Sequence, residues 1–358
     1  MPINQQYHKW IQRIRELRPE QRITQVRNFV WLLVGIHQSR SVTLSKIAGK
    51  VPGEAKLLST VRRLGRFLSN PAIRVRVWYE PIARQWLTAQ YRNLGEIRLI
   101  VDGTQIGSRH QLLIICLNYR KRAIPIAWTW VPHARGHSSA VKQLALLAYV
   151  HRLIPAEATV FLVGDCEFGA VPVLRQLESW HWFYVLRQKS DTCLWFSENK
   201  GWQPFGSFIQ KPGQSFWLGT GYLTRNHIFR VNLLVHWKRG EKDPWCLATN
   251  LPDKTMALRF YRRRSWIEEM FGDFKKHGFD LETTRLCHFQ RLSRLTLAVA
   301  FLYVWLVSVG TRTIRSGNRH LVDRNDRRDL CIFQIGLRYI ERCLTNALSI
   351  KIPLCSYR

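Results

Sequence analysis

The chain has 358 residues, 46% of them hydrophobic, enough to bury a sizeable core in one large domain or two to three smaller ones. Its net charge is +31, and the excess is spread: residues 1–96 carry 17 basic and 5 acidic side chains, residues 97–255 carry 19 and 10, and residues 256–358 carry 19 and 9. That distribution excludes a basic tail or a local membrane-binding patch and points to a polyanion touched by several parts of the protein, most simply a nucleic acid. The eight cysteines form no C-x-x-C pair, so neither a zinc module nor a disulfide framework is expected, and reduced thiols in a cytoplasmic protein are the default. The first residues, MPINQQYHKW, lack the apolar segment of a signal peptide.

In chain order, residues 7–90 read as helical. The stretch VTLSKIAGKVPGEAKLLSTVRRLGRFLSN (42–70) sets two short amphipathic pieces around a break at Pro52 and Gly53, the outline of a helix-turn-helix module. Its second piece carries Arg62, Arg63 and Arg66, candidates for contact with phosphates or base edges. From residue 97 the pattern changes. IRLIVDGTQIG, LLIICLNY and AIPIAWTWV are consecutive β-rich runs with short connections, predicting an antiparallel meander. A helix opened by Ser138 and Ser139 follows, then a strand TVFLVGD, a helix AVPVLRQLESW and a strand WFYVLRQK. Three antiparallel strands followed by alternating helix and strand predict an α/β, ribonuclease H-like core.

Residues 190–255 interrupt that order with aromatic, glycine-punctuated runs, expected to form a β-rich insertion. The apolar run LTLAVAFLYVWLVSVG (295–310) is short for a membrane span and flanked by arginines, so a buried helix packed on the sheet is expected. The divisions expected are 1–92 (helical, DNA-binding), 93–189 (first part of the core), 190–255 (insertion), 256–310 (final part of the core) and 311–358 (basic, helical).

Two aspartates end apolar strands beside glycines: Asp102 in LIVDGTQ and Asp165 in FLVGDCEFG. In a ribonuclease H-like sheet the first and fourth strands are neighbours, so the two carboxylates would lie side by side and repel unless a cation stood between them. Hard oxygen donors suit Mg²⁺ or Mn²⁺. The third carboxylate comes from YRRRSWIEEMFGDFKKHGFD (261–280). Wound as a helix at about 100° per residue, Tyr261, Arg264, Glu268 and Lys275 share one polar face, while Glu269 turns roughly 80° aside. Glu268 would complete a site for about two metal ions. Trp266, Met270 and Phe274 would face the core.

This Asp-Asp-Glu layout resembles the DDE transposases, and the Y-x2-R-x3-E-x6-K spacing is similar to the signature of the bacterial insertion-sequence-four family, as are DGT after the first strand and GDCEFG after the fourth. One departure stands out: relatives commonly place Trp directly after the signature Arg, where this chain has Ser265. The resemblance implies metal-dependent endonuclease cleavage at the ends of a mobile insertion element and strand transfer into target DNA, in cut-and-paste fashion and often through hairpinned ends. Its implied partners are the double-stranded DNA of the element ends and the target, and a second copy in a homodimeric synaptic complex, with no membrane. Tyr261, Arg264 and Lys275 would grip phosphates around the scissile bond, extended by Arg262 and Arg263.

Two rival readings are a structure-selective nuclease without strand transfer and a non-catalytic DNA-binding descendant of a transposase. Among secondary candidates, His133 and His137 have i,i+4 spacing but lie in a loop. Glu167, two residues after Asp165, is a possible substitute ligand. Asp191, Asp243 and Asp253 read as solvated, and Arg187 and Lys189 as DNA contacts. Within the insertion, Trp195, Trp202, Trp217 and Trp245 read mainly as core. Trp237, beside the basic Lys238, Arg239 and Lys242, is the candidate platform for a base unstacked at a hairpinned end.

Overall fold

The computed structural model describes residues 2–107, 110–132, 138–196 and 201–357. The chain divides into two units. One comprises Met1–Ala89, Gln105–His110 and Met270–Arg358, the other Gln90–Thr104 and Gln111–Glu269.

The first unit is helical. Four helices, α1 (Pro2–Leu17), α2 (Ile23–Ser39), α3 (Leu44–Ala48) and α4 (Leu57–Ser69), lead into α5 (Val75–Leu94). Gly53, at φ +129°, provides the left-handed backbone between α3 and α4 that the Pro-Gly pair predicts. On α4 the apolar stripe Leu64, Phe67 and Leu68 is buried and Arg62 and Arg66 are exposed, with Arg63 half-buried. Phe29 of α2 meets Phe67, Trp78 and Phe301 at ring separations of 6.0, 5.1 and 5.1 Å, making an aromatic centre for this unit.

Phe301 belongs to a 27-residue helix, Phe289–Arg315. It is long and apolar enough to cross a membrane, but 94% of its apolar window is buried within the protein. Within the helical unit this helix packs against α2 and α4 and against a later helix, Ile332–Thr345. Two glycines set the close approach to that later helix. A Cβ on Gly310 would fall 1.9 Å from the Ile332 carbonyl oxygen, and one on Gly336 would fall 1.9 Å from that of Leu306. The two backbones touch where neither carries a side chain. Arg294 of the long helix is buried and donates to the carbonyls of Leu68 and Ile73, capping the end of α4.

The second unit holds a mixed sheet. Its strands are β1 (Glu96–Ile106), β2 (His110–Tyr119), β3 (Arg122–Pro132), β4 (Thr159–Gly164) and β5 (Phe183–Gln188), then β6 (Cys193–Trp195), β7 (Gln203–Pro204), β8 (Ser215–Leu223), β9 (Phe229–His236) and β10 (Trp245–Thr249). Among the described residues the order is β3-β2-β1-β4-β5-β10-β9-β8-β6-β7. Arg120 and Lys121, at φ 44° and 61°, join β2 to β3 through the two left-handed residues a tight hairpin needs. Helix α6 (Ala140–His151) carries the chain to β4, parallel to β1, and α7 (Val171–Ser179) carries it to β5, parallel to β4.

This is the mixed α/β, ribonuclease H-like arrangement. The β-rich stretch after it continues the same sheet, because β10 returns antiparallel to β5 and β9. Helix α8 (Lys254–Tyr261) then docks on the sheet. Its Phe260 stacks on Phe161 of β4 at 4.1 Å, and Phe161 stacks on Phe183 of β5 at 5.2 Å. Asp253, expected to be solvated, accepts from the Met256 amide at 2.8 Å and caps α8.

Candidate active site

Val101 of β1 pairs with Gly164 of β4 in parallel register. The next residue of each segment is an aspartate, so Asp102, inside β1, and Asp165, just past the end of β4, stand side by side. The strand end expected at Asp102 is not formed, because β1 continues to Ile106. Asp102 is only 5% exposed. Burial pushes its carboxyl up to about 7, opposed by Arg264 and reinforced by the negative charges of Asp165 and Glu268. Asp102 Oδ1 accepts from the Gly103 amide at 2.8 Å, and Oδ2 accepts from Arg264 Nη2 at 2.9 Å.

Arg264 stands among three acids. Its Nη2 is 3.9 Å from Asp165 Oδ2, and its Nη1 donates to Glu268 Oε1 at 2.8 Å. Burial works against the Arg264 charge, but the surrounding acids outweigh it and hold the guanidinium more firmly protonated than usual. Glu269 turns elsewhere and accepts from Arg122 of β3 at 2.6 Å.

The expected single helix is broken. α8 ends at Tyr261, Arg262–Ser265 form a 3₁₀ turn, and α9 (Trp266–Phe274) starts afresh. The turn resets the helical phase, so the polar face drawn for a continuous helix is not formed. Arg264 and Glu268 still meet across four residues. Tyr261, however, is 3% exposed and packs edge-on against Trp245 of β10 at 4.9 Å. Burial raises the tyrosine's pKa. Lys275 lies beyond the end of α9 and belongs to the helical unit, where its Nζ reaches Gln105 O at 3.0 Å and Glu282 Oε1 at 3.1 Å. Trp266 is half-buried, whereas Met270 and Phe274 are buried.

Beside Arg264 opens a cavity of about 710 Å³, whose walls include Arg187, His236, Trp237, Tyr261 and Arg262. Trp237 follows β9, and its indole N–H donates to the Glu241 carbonyl at 3.0 Å, which fixes the ring. Arg187 donates to the Pro244 carbonyl at 2.9 Å. Lys189, Asp191 and Asp243 are exposed. Arg263 lies over the Phe260 ring, 5.5 Å from its centroid. Trp195, Trp202, Trp217 and Trp245 are half-buried. His133 and His137 lie outside the described residues. Arg62, Arg63 and Arg66 are in the helical unit.

The family model described as "Transposase DDE domain" matches residues 95–305, a span that contains all three acids. The chain belongs to the DDE transposases. No curated protein matches it. A similar solved structure is the cryo-EM structure of the piggyBac transposase synaptic complex with hairpin DNA. It is 9% identical, with 99% of this chain and 84% of that chain covered and a TM-score of 0.42.

DDE transposases use divalent metal ions, and the donors here suit one: three carboxylates converge, and burial opposes the charge that Asp102 would carry alone. Among the described residues no three Asp, Glu, His or Cys side chains close up by themselves into a metal cage, because Arg264 stands among the acids. Sequence reasoning missed the partners of this transposase's acidic residues. Arg122 carries no motif signal, and the contacts of Gln111, Ser138 and Gln143 with Glu167 join strands and a helix far apart in the chain. Glu167 itself, weighed as a ligand, turns its carboxylate to Ser138 and Gln111.

Proposed function

We propose that this transposase cuts at the ends of its own insertion element and joins them to target DNA by cut-and-paste transfer, in the manner of the insertion-sequence-four family. The supporting observation is the convergence of Asp102, Asp165 and Glu268 on one guanidinium beside the paired parallel strands β1 and β4. These three would hold about two Mg²⁺ ions, with Mn²⁺ as a substitute, which supply Lewis-acid activation of the attacking oxygen and stabilisation of the leaving one. Arg264, Tyr261 and Lys275 are assigned to the phosphates around the scissile bond. Arg62, Arg63 and Arg66 in the 1–92 region are assigned to recognition of the element end, and Trp237 in the 190–255 insertion to a base unstacked during hairpin formation. Residues 93–189 and 256–310 then form the split core and 311–358 a basic flank. The enzyme works as a homodimer on paired ends in the cytoplasm.

The test is cleavage of DNA carrying the inverted repeats that flank the gene, with Mg²⁺ and a target duplex. Strand-transfer products are expected from the unaltered protein. Asp102→Ala, Asp165→Ala and Glu268→Ala should each abolish cutting while end binding persists, because cations supply the nonspecific grip. Glu269→Ala, which removes one partner of Arg122 away from the three acids, should leave most activity. Cutting without joining would replace the proposal with a nuclease.

A further inference from the structure

Glu167 is the centre of a half-buried polar network that the metal-site reading leaves unused. Its Oε1 accepts from the Ser138 amide at 2.7 Å and from the Ser138 hydroxyl at 2.5 Å, and its Oε2 accepts from Gln111 Nε2 at 2.8 Å. Gln143 Nε2 donates to the Glu167 carbonyl at 2.9 Å and to Ser138 Oγ at 2.9 Å. One residue therefore ties together β2, the start of α6 and the turn after β4. Three donors on one carboxylate give strong, charge-assisted bonds with fixed directions.

Asp165 is bonded to this network, and Asp102 adjoins it through Gly103. The Glu167 amide donates to Asp165 Oδ1 at 2.8 Å, which orients that carboxylate while its Oδ2 faces Arg264. On the other strand, Gly103 follows Asp102 directly. A Cβ there would lie 2.4 Å from Gln111 Nε2 and 3.2 Å from Glu167 Oε2. The Gln111–Glu167 bond thus passes over the one residue whose amide holds Asp102 Oδ1.

The geometry points to Glu167 as the positioning residue that sets the separation and orientation of Asp102 and Asp165. It does so by clamping the β4 turn to β2 and α6, and it does not ligand the metal itself. This rests on the reading of the two aspartates as the metal-binding pair. Groups that orient metal ligands without touching the metal change affinity or activity by roughly 10–100-fold when removed. A glutamine at 167 keeps the acceptor toward Ser138, and the Gln111 contact is restored if that amide turns over.

The experiment measures Mn²⁺ binding to the full chain without DNA, and single-turnover nicking of end DNA across a Mn²⁺ series. End-DNA affinity in Ca²⁺ and thermal unfolding serve as controls. Glu167→Ala should weaken Mn²⁺ binding by roughly 10–100-fold, leave DNA affinity unchanged, and recover nicking at saturating Mn²⁺. Ser138→Ala, which keeps the amide donor, should move in the same direction by less, and Glu167→Gln should lie closer to the unaltered protein than Glu167→Ala does.

Nicking lost at every Mn²⁺ concentration in Glu167→Ala, with folding intact, would make Glu167 a ligand and overturn the inference. Unchanged Mn²⁺ affinity would overturn it too, as would a glutamine no better than alanine. If Glu167→Ala does not fold, the Glu167→Gln and Ser138→Ala affinities decide. An unaltered protein that binds no Mn²⁺ at this site would instead remove the metal-site reading beneath it.

Discussion

Asp102 is held where ionisation is costly, since burial outweighs the single nearby guanidinium and places its pKa at about 7. A carboxylate whose folded-state pKa lies above its unfolded value stabilises the protein at low pH. That contribution is lost as pH rises from about 4 to about 7. The metal-free protein should therefore lose stability across that window. Asp102→Asn in EDTA should raise the melting temperature by on the order of a few degrees at about pH 8 and by less at about pH 5. Mg²⁺ should stabilise the unaltered protein at the higher pH and leave Asp102→Asn unmoved. Calorimetry at both pH values with and without Mg²⁺ checks both, and a Tm lowered by Asp102→Asn at pH 8 would contradict the burial argument. Trp237 offers a second residue-scale test. Its ring is fixed by the Glu241 carbonyl on the wall of the cavity that also holds Tyr261. Trp237→Ala should slow hairpin formation by several-fold, consistent with about 1–3 kcal/mol of base stacking, while first-strand nicking survives. A time course separating nicked, hairpinned and double-cut DNA reads the two steps, and an equal fall in both would make Trp237 a packing residue.

At the level of elements, α4 presents Arg62 and Arg66 from a helix whose other face is buried, and its C-terminal end is tied down by Arg294. Losing both exposed charges in the full chain, as Arg62→Ala with Arg66→Ala, should weaken end binding and reduce the slope of log affinity against log salt by roughly 2. Titrations at several salt concentrations, on end and on random DNA, measure this. An equal loss on both DNAs would assign the arginines to phosphates alone. Elements were also where the sequence was most readable and where it misled. Asp102 and Asp165 were legible because a charged residue closing an apolar run has few structural uses, and the register of β1 and β4 places them together, although β1 runs on past Asp102 to Ile106. Glu268 was reached by winding a helix that does not exist as one piece. The meeting with Arg264 survives because i,i+4 neighbours stay close across the 3₁₀ turn, but the burial of Tyr261 against Trp245 depends on a strand made earlier in the chain. The long apolar helix was correctly read as buried, yet its neighbours were not legible. One of them, the Ile332–Thr345 helix, is brought close by the backbone contact at Gly310 and Gly336, and isolated glycines carry no sign of what they touch.

For the whole molecule, the ten-strand order has a consequence for removing residues 190–255. Strand β10 pairs with β5, so excising the β-rich stretch uncovers a strand of the catalytic sheet. A chain with those residues replaced by a short Gly-Ser linker should accumulate as aggregates. Size-exclusion chromatography would show this, and a soluble monomer would mean that β5 tolerates its open edge.

The same pairing orders events in time. During synthesis β5 emerges from the ribosome well before β10, which follows only after residues 189–244 have been made. Through that interval the nascent chain carries β5 with one edge open, a kinetic hazard typical of sheets closed by distant segments. Glu268 arrives later still, on the helix after the one that docks on β4 and β5. The newborn protein thus passes through its stickiest stage with Asp102 and Asp165 already made and Glu268 still to come.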